Sequence, residues 1–202
     1  MKDKSVELTR ASYIISKATN PCVLSLLFLI LMAVTESAST RLLTSWIITL
    51  LLFLIVLPLA YVYLRTYKTG TGIKLKSDPT IFLKQHPSDI LIVGLLFGIP
   101  GLVGLFLFEA PLVILQTYAA LLIGSFVIAI CNIFYRVSYH LGAVTILVMM
   151  APIAWGQNFL VLMAVIPLVS WAKYQIDEHT IIQLLSGFII AIFVGGVVLI
   201  AY

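Results

Sequence analysis

The sequence predicts an all-α fold: a polytopic transmembrane helical bundle of six to seven spans. Three observations carry this. Hydrophobic residues make up 62% of the 202-residue chain and charged residues only 10%, with a mean hydropathy of +1.16, whereas a soluble domain of this size needs far more polar surface. Several apolar runs approach the roughly 20 helical residues that cross a hydrocarbon core of about 30 Å. Inside lipid each backbone polar group must be satisfied within the protein, and the alternating pattern of a membrane barrel is missing, which leaves helices.

The elements follow in order. Residues 1–20 form a charged, amphipathic N-terminal segment, unlike the short basic stub and small-residue cleavage site of a secretory signal. Residues 21–202 read as one transmembrane domain. Its candidate spans are Pro21–Thr35, Leu42–Leu64, Ile90–Phe108, Pro111–Phe134, Ser138–Trp155, Phe159–Trp171 and His179–Tyr202. The first and sixth are short, so tilt, re-entry or extension by their flanks is expected. Pro58, Pro100, Pro152 and Pro167 fall inside spans, where they are expected to distort the helix without further role. The one substantial hydrophilic loop covers about residues 65–89. Its Thr69-Gly70-Thr71-Gly72 stretch is a turn signal, and without a flanking strand and helix it is a poor phosphate cradle.

Charge sets the orientation. With an odd number of spans, the N-terminus and the loops after spans two, four and six share one side. That side holds Lys2, Lys4, Arg10, Lys17, Arg65, Lys68, Lys74, Lys76, Lys84, Arg136 and Lys173, against Arg41 alone on the other. Basic residues favour the cytoplasm, so the first group is expected there, even when Lys84, Arg136 and Lys173 are set aside as functional charges.

Other chemistries are disfavoured. Cys22 and Cys131 lie in apolar spans and read as small buried hydrophobes, not as a disulfide framework. The histidines have no cysteine or carboxylate neighbours at ligand spacing, so no metal site or cofactor is expected. A net charge of +4 is explained by membrane topology and points to no nucleic-acid partner. No internal repeat is visible, and span interiors hold almost no ionisable residue, which argues against an ion-coupled transporter.

The chain has three histidines. His86 precedes the third span, His140 opens the fifth and His179 opens the seventh. Two spans separate each from the next, so all three return to one face. Histidines also favour interfaces because the ring tip stays wet, and the coincidence gains weight from its neighbours. Arg136 and Ser138 stand just before His140, and Lys173 stands six residues before His179. These groups suit phosphoryl transfer. An imidazole can attack phosphorus and form a covalent phospho-enzyme, while a second one protonates the leaving alkoxide and later deprotonates water. His179 is then the nucleophile and His140 the acid/base. Lys173, Arg136 and Ser138 would hold phosphate oxygens. Gln183, four residues after His179, shares its helix face and can accept the Nδ1 proton. Structural roles compete with these: interface anchors for Lys173 and Arg136, interhelical glue for Gln183 and a helix N-cap for Ser138.

The pattern resembles the type 2 phosphatidic acid phosphatase superfamily of membrane lipid phosphatases. That family carries Lys-x6-Arg-Pro, then Pro-Ser-Gly-His, then Ser-Arg-x5-His-x3-Asp. In the second motif Ser138 and His140 fit, with Tyr139 in place of glycine and Val137 in place of proline. The third maps to Ala172-Lys173, His179 and Gln183, so lysine stands for arginine and glutamine for aspartate. Lys84-Gln85-His86-Pro87 is the poorest match, with histidine where arginine is expected. Lys84 is carried as a phosphate contact, and His86 and Lys76 as further candidates from the same loop. Thr19-Asn20-Pro21 before the first span and the two spans between motifs also resemble the family. The resemblance implies metal-independent removal of phosphate from a lipid or prenyl monoester or diphosphate through a phosphohistidine, in a multi-pass protein whose tail pocket opens laterally to lipid. The substitutions Ala172, Lys173 and Gln183 weaken phosphate holding and imidazolium stabilisation, so a catalytically silent relative that binds or moves lipids is the alternative, and a small transporter a more distant one.

Overall fold

The structure is a computed structural model. It describes residues 2–68 and 86–201, with side chains for these except residues 2–9, Lys68 and Pro87. Lys74, Lys76 and Lys84 lie outside the described residues. All regular elements among the described residues are helical.

Helix α1 (Lys2–Ala18) meets α2 (Pro21–Glu36) at a bend of 50°. The sequence sets the break: the Asn20 side chain accepts from the Cys22 N–H at 3.0 Å, and Pro21 occupies the first helical position. A short polar cap followed by proline is a preferred helix start, because proline has no N–H to leave unsatisfied. Then come α3 (Thr40–Tyr67), α4 (Ser88–Leu107) and α5 (Leu112–Phe134). The central α6 (Tyr139–Trp155) follows, then a 3-10 helix (Gln157–Ala164) leading into α7 (Val165–Gln175), and finally α8 (Ile181–Ile200).

Helices α3, α4, α5 and α8 are long and apolar enough to cross a membrane, and the bent pair α1–α2 makes a fifth if counted as one span. Large apolar side chains such as Leu31, Phe106, Phe134 and Phe193 stand exposed on the outer faces, as expected where lipid and not water is the neighbour. The chain is thus a helical membrane protein. Besides the first, which is the 16-residue α2, two of the expected spans differ from those four. The fifth, α6, has 17 residues, and the sixth is divided between the 3-10 helix and the 11-residue α7.

The shortness of α6 has a packing counterpart. It is buried along most of its length, with Leu141, Val144, Ile146, Leu147 and Met150 in the core, and it packs against α2, α5, α7 and α8. A helix apolar all round belongs in the middle of a bundle.

Pro58 and Pro100 act as expected of prolines, with a specific outcome. Each follows a π-helical turn, Leu52–Val56 and Gly94–Gly98. A proline ring clashes with the carbonyl four residues back, here Leu54 and Leu96. Widening the helix by one residue per turn relieves that clash without breaking the span. The two widened turns face each other.

One end of the bundle is tied by Trp46, whose Nε1 donates to the Phe108 carbonyl at 2.8 Å, and by Trp155, whose Nε1 donates to Thr35 Oγ1 at 3.0 Å. The cysteines differ from expectation: Cys22 is exposed and Cys131 only half-buried. Cys22 sits in the first turn of α2, outside the core that the rest of that helix enters.

Candidate functional site

The other end of the bundle gathers the starts of α6 and α8 and the end of α7. Three local devices assemble it.

The first is the turn before α6. Val137 N–H donates to Asn132 Oδ1 at 2.8 Å, and Asn132 Nδ2 donates back to the Val137 carbonyl at 3.3 Å. The Asn132 amide thereby fastens the chain from α5 to the Arg136-Val137-Ser138 segment. Ser138 is fully buried and caps α6, its hydroxyl accepting from Leu141 N–H at 3.4 Å. The capping reading of Ser138 is therefore realised. His140 follows in the first turn, only 5% exposed.

The second device joins the two helix starts. Ser138 N–H donates to the Gln183 carbonyl at 3.2 Å. The approach is this close because Gly187 has no side chain: a Cβ there would lie 2.6 Å from the Ser138 carbonyl oxygen. The segments carrying His140 and His179 thus share one end of the bundle, as counting spans led one to expect.

The third device is the connection from α7 to α8. Helix α7 ends with Glu178 N–H donating to the Lys173 carbonyl at 3.2 Å and Asp177 N–H to the Tyr174 carbonyl at 3.1 Å. Asp177 has φ 53°. This bond pair around a left-handed residue is a Schellman stop, with Asp177 where glycine is usual. One residue after Glu178 stands His179, then Thr180 opens α8 with a capping box: its hydroxyl accepts from Gln183 N–H at 3.4 Å and Gln183 Oε1 accepts from Thr180 N–H at 3.1 Å. His179 is held between a helix stop and a helix start, each self-fastened.

Gln183 lies within reach of the His179 ring, as its spacing suggested. Its Oε1 lies 3.3 Å from His179 Nδ1, so a proton on Nδ1 can be held there and Nε2 left with its lone pair. That oxygen also serves the capping box. The Thr180-x-x-Gln183 signature is legible in the sequence and escaped the sequence reading.

Lys173 is placed differently from expectation. It is 1% exposed, with Nζ 2.5 Å from Glu178 Oε2 and 2.6 Å from Ser16 Oγ of α1. The cation expected to hold phosphate is held by a carboxylate and a hydroxyl. Arg136 is exposed beside the site. His86 is exposed at the start of α4, near the Arg65–Asp89–Tyr61 group: Tyr61 donates to Asp89 Oδ1 at 2.9 Å, with Arg65 Nε 3.9 Å from the same oxygen. That group ties α3 to α4 and not to α8. Among the described residues no cluster could hold a metal ion.

Beyond His140 lies a cavity of about 240 Å³, partly open, with an almost wholly apolar wall. It reaches along α5 from Ile128 to Tyr118, roughly 15 Å at the helical rise. Phe53, Leu54 and Pro58 of α3 line one part, and Gly94 and Gly98 of α4 line another, so the two proline-induced wide turns border the space. The Tyr118 hydroxyl, against Gly101, has no hydrogen-bond partner among the described residues.

Comparison with known proteins gives no matching family model, no matching curated protein and no matching solved structure.

Proposed function

We propose that the chain is an integral membrane lipid phosphatase that hydrolyses a phosphomonoester or diphosphate of a lipid or prenyl alcohol. This reading takes up the resemblance to the type 2 phosphatidic acid phosphatases. The observation that carries it is the placement of His140. It borders an apolar cavity inside the bundle, and its helix start is hydrogen-bonded to the helix start that carries the His179–Gln183 pair. An apolar chain in the cavity would present its phosphate at the polar end, where the two histidine-bearing segments meet.

The chemistry follows from the groups. His179 Nε2 attacks phosphorus while Gln183 holds the Nδ1 proton. The P–O bond to the lipid breaks, and His140 gives the leaving alkoxide a proton. Water, deprotonated by His140, then attacks the phosphohistidine; phosphate leaves and His179 is restored. Arg136 and the start of α6 at Ser138 would stabilise phosphate oxygens, since a helix N-terminus favours anions.

In this reading the chain crosses seven times. The 3-10 helix and α7, laid end to end, reach roughly 32 Å at their respective rises, enough for the hydrocarbon core. The site end carries Arg10, Lys17, Arg65 and Arg136, which would place it in the cytoplasm.

The test is phosphate release from a panel of lipid phosphates by the purified protein in detergent, with and without chelator. Release that persists with chelator and vanishes in His179→Ala is the expected result; no release from any substrate rejects the reading. A second reading is favoured by Lys173, whose ammonium is already ion-paired: a catalytically silent relative that binds or moves lipids. Lipid binding without turnover would select it.

A further inference from the structure

The apolar cavity that His140 borders has a bottom. Five helices line it from the histidine end, and on each the lining stops at a similar depth: at Leu29 on α2, Phe53 on α3, Gly98 on α4, Tyr118 on α5 and Ile146 on α6. Just beyond, the same five helices place Met32, Leu50, Leu105, Ile114 and Met150, each 0% exposed and all in one packed cluster. Such an interior is close-packed and holds no space for a further chain. The cavity is therefore blind, and its depth is fixed. Along α2 and α4 the lined stretches, from Pro21 to Leu29 and from Ile90 to Gly98, run roughly 12 Å at the helical rise, against roughly 15 Å along α5.

Volume then limits the occupant. A dry apolar cavity of about 150 Å³ takes one benzene ring, and in proportion a cavity of about 240 Å³ takes about ten carbons. Spread over the depth, that volume is one hydrocarbon chain wide. Two chains side by side would need twice the space.

We propose that the cavity is a length gauge for a single-chain lipid phosphate, with room for about ten carbons and with Tyr118 and Leu29 as its floor. The inference rests on the phosphatase reading for the headgroup and narrows the substrate: one alkyl or isoprenoid chain, not two acyl chains. The phosphate lies by His140 and the chain end meets the Tyr118 ring. Each methylene buried on the way strengthens binding roughly four-fold. Carbons beyond the length of the cavity meet the packed cluster, stay outside and add nothing. Tyr118 and Leu29 determine specificity, and neither touches the reacting atoms.

The test uses the purified full-length chain in a sterol-based detergent, whose fused rings do not fit a bore one chain wide. The probes are alkyl phosphonates from butyl to hexadecyl, geranyl phosphonate, and the phosphonate analogue of a didecanoyl phosphatidate. Their carbon–phosphorus bond resists hydrolysis. Thermal stabilisation is the readout, because a ligand that binds only the folded state raises the melting temperature whether or not the protein turns it over. Binding is expected to strengthen roughly four-fold per carbon up to decyl and to level off beyond it, with the two-chain probe weaker than decyl by about ten-fold or more. Tyr118→Ala empties a ring the size of benzene, so the levelling point should move about four to six carbons longer. Leu29→Ala should move it the same way by less, and carries the test if the tyrosine variant does not fold. A levelling point that stays put in a folded variant overturns the proposal, as does equal binding of the one-chain and two-chain probes. Geranyl ahead of decyl assigns an isoprenoid chain and decyl ahead of geranyl a straight one; either order supports the gauge. Turnover of lipid phosphates by wild type, measured alongside, tests the enzyme separately. Turnover indifferent to chain length and chain number overturns the gauge and keeps the phosphatase. The expected length series without turnover supports the gauge and rejects the enzyme.

Discussion

His179 and Gln183 set the terms at the scale of single residues. Replacing His179 by alanine should reduce phosphate release to background while the protein stays folded, since no phosphohistidine can form; a release assay beside a thermal melt checks this. His140 is buried, so glutamine is the better probe of its proton transfer than alanine. His140→Gln should lower turnover by about 10²–10⁴-fold for alkoxide leaving groups and by less for a diphosphate, whose leaving phosphate needs no proton. Gln183 carries two duties on one oxygen, to His179 Nδ1 and to the Thr180 N–H. Aspartate, the residue the family resemblance implies, is one methylene shorter and cannot be expected to serve both. Gln183→Glu keeps the length and the capping box and adds a charge facing the ring. We expect equal or higher turnover in Gln183→Glu, with stability unchanged. In Gln183→Leu we expect lost turnover and a stability loss of about 1 kcal/mol from the missing cap. A glutamate variant slower than wild type would mean that the ring needs a neutral acceptor.

At the scale of elements, the site depends on how closely α6 and α8 start together. Gly187 permits the Ser138–Gln183 hydrogen bond, and a methyl group there would meet a backbone oxygen, which cannot swing aside. Gly187→Ala should destabilise the fold by about 1–3 kcal/mol, the range for overpacking, and lower phosphate release although it touches no substrate. Gly196 lies on the same helix with nothing within 4 Å of a built Cβ. Gly196→Ala should be neutral or stabilising by about 0.5–1 kcal/mol, because glycine is a poor helix former. Melting temperatures of the two variants, measured together, separate close approach from helix propensity. The buried Tyr118 hydroxyl supplies a second contrast. Tyr118→Phe removes an unpartnered polar atom from an apolar wall and should leave stability equal or higher; a marked loss would reveal a partner for it.

At the scale of the whole molecule, the cavity and the orientation carry the remaining expectations. Ala143 lines the cavity one turn beyond His140. Ala143→Phe should obstruct a long chain, raising KM for long-chain lipid phosphates by ten-fold or more while sparing a short, water-soluble phosphomonoester; equal effects on both would detach the cavity from the substrate. Orientation is read by labelling, in a chain with Cys22 and Cys131 changed to serine. A membrane-impermeant thiol reagent applied from outside should reach Ala38→Cys, between α2 and α3, and miss Arg136→Cys. The reverse pattern would place the histidine end outside the cell.

The sequence by itself determined the helical membrane class, the long apolar helices α3, α4, α5 and α8, and the return of His140 and His179 to one end. Those features depend on composition and on the order of the apolar runs, which are properties of the chain read in order. It also determined local devices that act within a few residues: the Asn20-Pro21 start, the Ser138 cap and the reach of Gln183 to His179. Even the capping box at Thr180 was written there in full. Only the tertiary structure decided which partners meet across the fold. Ser16 and Lys173 are 157 residues apart, and no periodicity encodes their meeting; it arises because α1 packs on α7. Glu178 closes on Lys173 only because Asp177 adopts the left-handed turn, a conformation that sequence more often assigns to glycine. The prolines announced distortion, but its form as facing π turns beside a cavity came from two helices packed together. Burial and long-range pairing are properties of the packed bundle, so a lysine legible as a cation in the sequence became an occupied one in the fold.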